Sequence, residues 1–184
     1  MDEKEAIRLL LNKDLEGLTW LMERYQVRAL RAAVLVTRDR ALAEDVVQSK
    51  FVELYRKVHT YDPARPFAPW FLRGVVNAAI TASQVANRFA GFSEGLNEFE
   101  ELIDTAPQPE IRTLQNEFAQ KVRQSLVNLS PEQRGTVVMR YYLEMSEAEI
   151  AEASKVPKGT IKWRLHVARE RLRKFLSFSM DKEE

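Results

Sequence analysis

The 184-residue sequence predicts an all-α fold of two helical domains joined by an acidic linker, on three observations. Apolar residues recur at three- and four-residue steps through most of the chain, the period of a helix with one buried stripe. Serine-led capping boxes and X-Pro steps mark where helices open and close. From Ala90 to Glu117 the periodicity stops: Gly91, Gly95, Pro107 and Pro109 interrupt a stretch that carries Glu94, Glu98, Glu100, Glu101, Asp104 and Glu110. Such a composition is a linker's. The expected division is a domain over 1–89, a linker over 90–117 and a second domain over 118–184.

In the first domain, Ala6 to Leu11 gives a short amphipathic start. A longer helix is expected over Leu15 to Val36, where Leu18, Leu21, Met22, Tyr25, Leu30 and Val34 keep helical spacing and Arg24, Arg28 and Arg31 fall between them. Thr37 to Arg40 is a polar break. The next helix, Ala41 to about Val58, has a core stripe of Val47, Phe51, Leu54, Tyr55 and Val58. Its other face carries Glu44, Asp45, Gln48, Ser49, Val52 and Glu53, polar groups around an exposed valine. By itself that pattern describes a solvated face as well as a docking face.

His59 to Pro69 breaks the period, and Pro63, Pro66 and Pro69 stiffen it into a fixed loop. Tyr61, Arg65, Phe67 and, just beyond, Trp70 offer surfaces of the kind on which unpaired bases stack, at about 1–3 kcal/mol per base. The other reading is that Phe67 and Trp70 anchor the loop to the core. A helix resumes from Pro69 to about Arg88, with Arg73 and Asn77 one turn apart.

In the second domain Phe118 to Leu129 is amphipathic. Ser130-Pro131, with Gln133 at the capping-box position, opens a helix through Val137, Val138, Met139 and Tyr142. Ser146 and Glu149 form a second capping box, and the helix they open should end before Val156-Pro157, since the residue preceding a proline avoids the α region. A last helix begins near Pro157 or Lys158. Ile161, Leu165, Ala168, Leu172 and Phe175 make its buried stripe, while Lys158, Lys162, Trp163, His166, Arg169 and Arg173 face away. Two helices joined by a tight turn, the second with a basic face, match a helix-turn-helix. Basic amphipathic helices are often only solvated surfaces, but here Glu170 is the sole acid between Lys155 and Lys174. The tail after Ser177 reads as frayed and acidic.

Composition narrows the function. The net charge of +1 hides an asymmetry between an acidic middle and a basic C-terminal segment, which points to a polyanion partner for one part only. There is no cysteine, and the histidines, His59 and His166, lie far apart, so neither a metal site nor a cofactor is expected. No nucleophile–base pair or glycine-rich phosphate loop suggests an enzyme. No apolar run reaches membrane-spanning length, and Asp2, Glu3 and Glu5 are unlike a signal peptide's basic start, so a cytoplasmic location is expected.

Three stretches together resemble a known family: Ala43-Glu44-Asp45-Val46-Val47-Gln48 with Phe51; Tyr61-Asp62-Pro63-Ala64-Arg65-Pro66-Phe67 followed by Trp70; and Glu149-Ile150-Ala151 followed by Pro157-Lys158-Gly159-Thr160-Ile161-Lys162 and Arg164-Leu165. Their order and spacing are similar to those of the small two-domain bacterial sigma factors of the extracytoplasmic-function group, sigma-70 family. The resemblance implies a region 2-like first domain and a region 4-like second domain, with core RNA polymerase and promoter DNA as partners. It also implies three sets of residues. Asp45, Gln48, Ser49 and Val52 would dock on the polymerase. Tyr61, Arg65, Phe67, Trp70, Arg73 and Asn77 would read and melt the downstream (−10) element. Lys158, Thr160, Lys162, Trp163, Arg164, His166 and Arg169 would read the upstream (−35) element. Many members of the family are held inactive by an anti-sigma factor, a partner the residues themselves do not specify.

The chain departs from the family pattern in four places. Ser49-Lys50 stands where Glu-Thr is usual. The helix after Trp70 is poor in arginine. Lys155 replaces the turn glycine, so either it adopts a left-handed conformation at some cost or the turn differs. Trp163 replaces a small residue, and could meet a thymine methyl or a neighbouring protein. Two other readings stay open on the residues alone: a stand-alone helix-turn-helix regulator, and a degenerate sigma-like protein acting mainly through protein contacts.

Overall fold

The computed structural model describes residues 1–89 and 125–180, and for 89 and 175–180 the backbone only. The expected linker over 90–117 and the expected helix over 118–124 lie outside the described residues. The chain divides into two compact units, Met1–Ser93 and Glu94–Glu184. Among the described residues every regular element is helical.

Unit 1 holds α1 (Glu3–Leu11), α2 (Leu15–Thr37), α3 (Arg40–Lys57) and α4 (Phe67–Phe89). Aspartates start the first three: Asp2, Asp14 and Asp39 accept from the backbone N–H groups of Glu5, Glu16 and Leu42. Each such cap is worth about 1 kcal/mol. The breaks between helices are sharp because Lys13 (φ 65°) and Arg38 (φ 61°) turn left-handed there. Burial holds Arg38's guanidinium below its ordinary pKa. Lys13 also fastens the α1–α2 turn to α3, donating to the Tyr55 carbonyl at 2.9 Å with its ammonium 4.9 Å from the Tyr55 ring centre.

α2 is the hub, packing on α1, α3 and α4. The expected large residues account for only part of its buried side: Leu21, Tyr25 and Val34 are buried, but Met22 and Leu30 are half-exposed, and Ala29, Ala32 and Ala33 are fully enclosed. Small residues let neighbouring backbones come close. At Gly17 the approach of α1 is so tight that an added Cβ would lie 2.2 Å from the Ala6 carbonyl oxygen and 2.8 Å from the Leu10 nitrogen. The Tyr25 hydroxyl donates to Glu3 across the same contact.

α4 starts at Phe67, two residues before the expected start at Pro69. Proline is tolerated there because first-turn N–H groups have no intrahelical acceptor. Phe67 is fully buried under a set of rings: its centroid lies 5.4 Å from Tyr25, 5.4 Å from Tyr61, 5.8 Å from Trp70 and 5.7 Å from Phe71. These distances are those of favourable aromatic packing.

In unit 2 a 3-10 turn at Leu126–Asn128 precedes α5 (Pro131–Val137), which opens into one wider turn over Val138–Tyr142. α6 (Glu147–Ser154) and α7 (Lys158–Met180) follow. The backbone of α7 stays helical past Ser177, where fraying was expected. Its core includes Leu126, Leu129, Val138, Met139, Ile150, Ile161, Leu165 and Ala168. Leu172 is half-buried, and the Phe175 side chain lies outside the described residues. Arg134, 5% exposed, donates to the Leu129 carbonyl at 2.6 Å. Arg171 ties α7 to the start of α5 through the Asn128 carbonyl (2.7 Å) and Gln133 Oε1 (3.1 Å).

Candidate nucleic-acid and polymerase interfaces

In unit 2 the local sequence builds the helix-turn-helix as expected. Ser146 Oγ accepts from the Glu149 N–H at 3.2 Å, and the Glu149 carboxylate accepts from the Ser146 N–H at 2.8 Å. Hydrogen bonding to the Ser146 side chain and backbone holds the Glu149 carboxyl below its ordinary pKa. α6 ends on Lys155, which is left-handed (φ 53°, ψ 43°), and the Val156 N–H closes the turn on the Ala151 carbonyl at 3.1 Å. A lysine there carries the steric cost that a glycine avoids. Lys155→Gly is therefore expected to stabilise unit 2 by about 1 kcal/mol, read as a higher denaturation midpoint with an unchanged slope.

The turn sets the direction of α7. Ile161, Leu165 and Ala168 seal one side into the core. Around the rest of the helix Lys158, Lys162, Trp163, His166 and Arg169 are exposed, while Thr160 and Arg164 are half-buried. The five exposed residues form one surface, with Lys158 and Arg169 at its border toward Leu165. Glu170, the one acid in it, is paired with Arg173 at 3.2 Å, so the face stays cationic. Arg169 Nε leans back to the Leu165 carbonyl at 3.2 Å. Gly159 has an ordinary φ, and a Cβ added there would meet nothing within 4 Å. Neither backbone strain nor internal packing asks for glycine at that position.

In unit 1 the Tyr61–Trp70 segment is tighter than the sequence suggested. The Tyr61 hydroxyl donates to the Arg65 carbonyl, closing the loop on itself, and burial raises its pKa. Arg65 Nε stands 3.7 Å from Asp62 Oδ2, and the arginine side chain is exposed. Phe67 is corrected here: with no exposed surface it shows no face to a base in this conformation, and it acts as the post on which Tyr61 and Trp70 lean. Trp70 is half-exposed, as are Arg73 and Asn77 along α4. Trp70, Arg73 and Asn77 follow one another at three- and four-residue steps on one side of α4.

Asp45, Gln48, Ser49 and Val52 are all exposed on α3, at spacings of three and four that put them on one face. Val52 is half exposed, an apolar centre in a polar ring. Lys50 does not join that face. Its ammonium bonds Glu53 at 2.6 Å, beside Lys57 at 3.0 Å, and its end lies 3.3 Å from where a Cβ on Gly74 of α4 would sit. The two lysines hold the Glu53 carboxyl below its ordinary pKa. Of the two departures at 49 and 50, Ser49 is exposed on the face with Asp45, Gln48 and Val52, while Lys50 is half-buried.

Each of the two units contains a stretch that matches a known family. Residues 21–89 match the family description Sigma-70 region 2, and residues 119–172 match Sigma-70, region 4. The ECF RNA polymerase sigma factor SigW of Bacillus subtilis is 25% identical over 181 residues, covering 94% of this chain and 96% of that one. SigL of Mycobacterium tuberculosis, also an ECF RNA polymerase sigma factor, is 30% identical over 144 residues, 78% of this chain and 79% of that one. Among solved structures, CnrH in complex with the cytosolic domain of CnrY aligns with a TM-score of 0.64 at 20% identity, covering 95% of this chain and 97% of that one. The sigma factor RpoE from Bartonella quintana, in complex with the anti-sigma factor NepR, aligns with a TM-score of 0.61 at 21% identity, covering 86% and 97%. At those identities the two structures establish the shared fold. The two matched regions, in this order, and the curated relatives that span most of its length place the chain in the extracytoplasmic-function group of the sigma-70 family of RNA polymerase sigma factors.

Proposed function

We propose a division of labour for this sigma factor, which binds core RNA polymerase and directs promoter-specific initiation as its family does. Unit 1 docks on the polymerase through the α3 face of Asp45, Gln48, Ser49 and Val52. Its rim of Arg65, Trp70, Arg73 and Asn77, backed by Tyr61 and Phe67, takes an unstacked base of the downstream element. Unit 2 lays α7 in the major groove of the upstream element. Phosphate contacts position a protein without reading sequence, so promoter choice rests on side chains that reach base edges: Lys158, Thr160, Lys162, Trp163, Arg164 and His166. Arg169 is placed for the backbone. The stretch over 90–117 serves as the tether between the two units. The protein acts in the cytoplasm beside the polymerase, without catalysis of its own, and an anti-sigma factor is the partner that would hold it inactive. No helix among the described residues is long and apolar enough to cross a membrane.

The observation that carries this reading is the exposed, almost acid-free face of α7, in a helix-turn-helix whose first helix is capped at both ends. Unit 1's share rests on the α3 face, whose members are exposed and off the core. Asp45→Ala with Gln48→Ala is expected to weaken binding to core polymerase roughly tenfold, the size of about 1.4 kcal/mol lost from an interface, with the melting temperature unchanged. Competition for core against a second sigma factor reads it; undiminished competition would move the docking face elsewhere.

A further inference from the structure

Among the described side chains of α7, Trp163 is the exposed large apolar residue, with 60% of its surface open to solvent. An indole left in water on a helix that is otherwise charged carries an unmet hydrophobic gain. What covers it must be compatible with its surroundings, and those are Lys158, Lys162, Arg164, His166 and Arg169, with the nearest acid, Glu170, already paired to Arg173. An apolar protein surface placed there would have to desolvate several of these cations without partners. A nucleic-acid groove pairs them.

Gly159 adds an independent observation. It lies one turn before Trp163, on the same side of the helix. Nothing inside the protein needs its missing side chain: a Cβ would meet no atom within 4 Å. The surface on the N-terminal side of Trp163 is therefore open, since no atom lies within 4 Å of where a Gly159 Cβ would sit. An exposed indole next to an uncovered stretch of helix stands near the start of α7, among exposed lysines and arginines.

In the major groove the apolar feature of a base edge is the C5 methyl of thymine. We propose that Trp163, with the open helix surface at Gly159 leaving room for the base edge, reads a thymine methyl in the upstream promoter element, making this chain's promoter choice depend on a 5-methylpyrimidine at one position. The proposal rests on the assignment of α7 as the upstream reader and adds the chemical identity of one of the bases it selects.

The test uses holoenzyme assembled from the full chain and core polymerase. Promoter duplexes randomised over the upstream element are selected for binding, and each thymine of the selected sequence is then replaced singly by deoxyuridine, which pairs identically and lacks only the methyl. The expected result is one thymine position at which deoxyuridine lowers affinity about fourfold, the worth of one buried methyl-sized group. Trp163→Ala should bind the thymine and deoxyuridine duplexes equally at that position, and Gly159→Ala should lose most of the discrimination, with helix content and melting temperature of both variants at or above wild type. Sequence-selective binding with no thymine sensitive to deoxyuridine would overturn the methyl reading and leave α7 as the reader. Unchanged discrimination in Trp163→Ala would overturn the role of the indole. Selection of no upstream sequence at all would overturn the assignment of α7 itself. Loss of polymerase binding by Trp163→Ala, with DNA discrimination intact, would show that the indole is covered by protein.

Discussion

Phe67→Ala is expected to destabilise unit 1 by about 3–5 kcal/mol, the usual cost of emptying a fully enclosed aromatic site. Several rings surround this one, from Tyr25 on α2, from the loop at Tyr61 and from Trp70 and Phe71 on α4, and Phe67 itself has no exposed surface. Its removal leaves a cavity between elements held by different parts of the chain, so relaxation cannot fill it cheaply. The change amounts to a large share of a small domain's stability of about 5–15 kcal/mol. Denaturant unfolding of the full chain should show an early transition for unit 1, with unit 2 unaffected. A Phe67 whose first duty is to stack on a base would behave otherwise: the variant would keep its stability and lose only promoter opening.

The second large effect is expected on α7. Replacing Lys158, Lys162 and Arg169 together with alanine should lower holoenzyme affinity for its promoter at least about a hundredfold, since base contacts are worth roughly 1–3 kcal/mol each and phosphate contacts add to them. All three side chains are exposed, off the core stripe of Ile161, Leu165 and Ala168, so the fold should persist. The single variants divide the loss. Arg169→Ala should weaken binding to all sequences alike and reduce the salt slope by about 0.9, the signature of one phosphate contact. Lys162→Ala should cost more on the selected promoter than on unrelated DNA. An equal loss on both would make Lys162 another phosphate contact and leave base reading to its neighbours.

Much of this was legible in the sequence, because capping and amphipathic period are local. The boxes at Ser130–Gln133 and Ser146–Glu149 form as their spacing requires, and the buried and exposed faces of α3 and α7 follow from the apolar steps. Lys155 turns left-handed because the Val156-Pro157 step leaves α6 nowhere to continue. What sequence could not give is tertiary. Nothing local distinguishes Ala29, Ala32 and Ala33 as the core of α2 from alanines on a surface, or shows that Gly17 lies against the backbone of α1. The choice between core and base contact for Phe67 turned on which rings come from elsewhere in the chain, and Tyr25 is more than forty residues away. Lys50 shows the same limit: its position next to the docking face says nothing of its turn toward Glu53 and Gly74.

The most direct measurement is run-off transcription from selected promoter duplexes with purified core polymerase, with and without the full chain. The account predicts transcripts of one defined start only when the chain is present, and their loss in the Lys158, Lys162 and Arg169 triple variant. A chain that binds the same duplexes without core polymerase and starts no transcript with it would contradict the account.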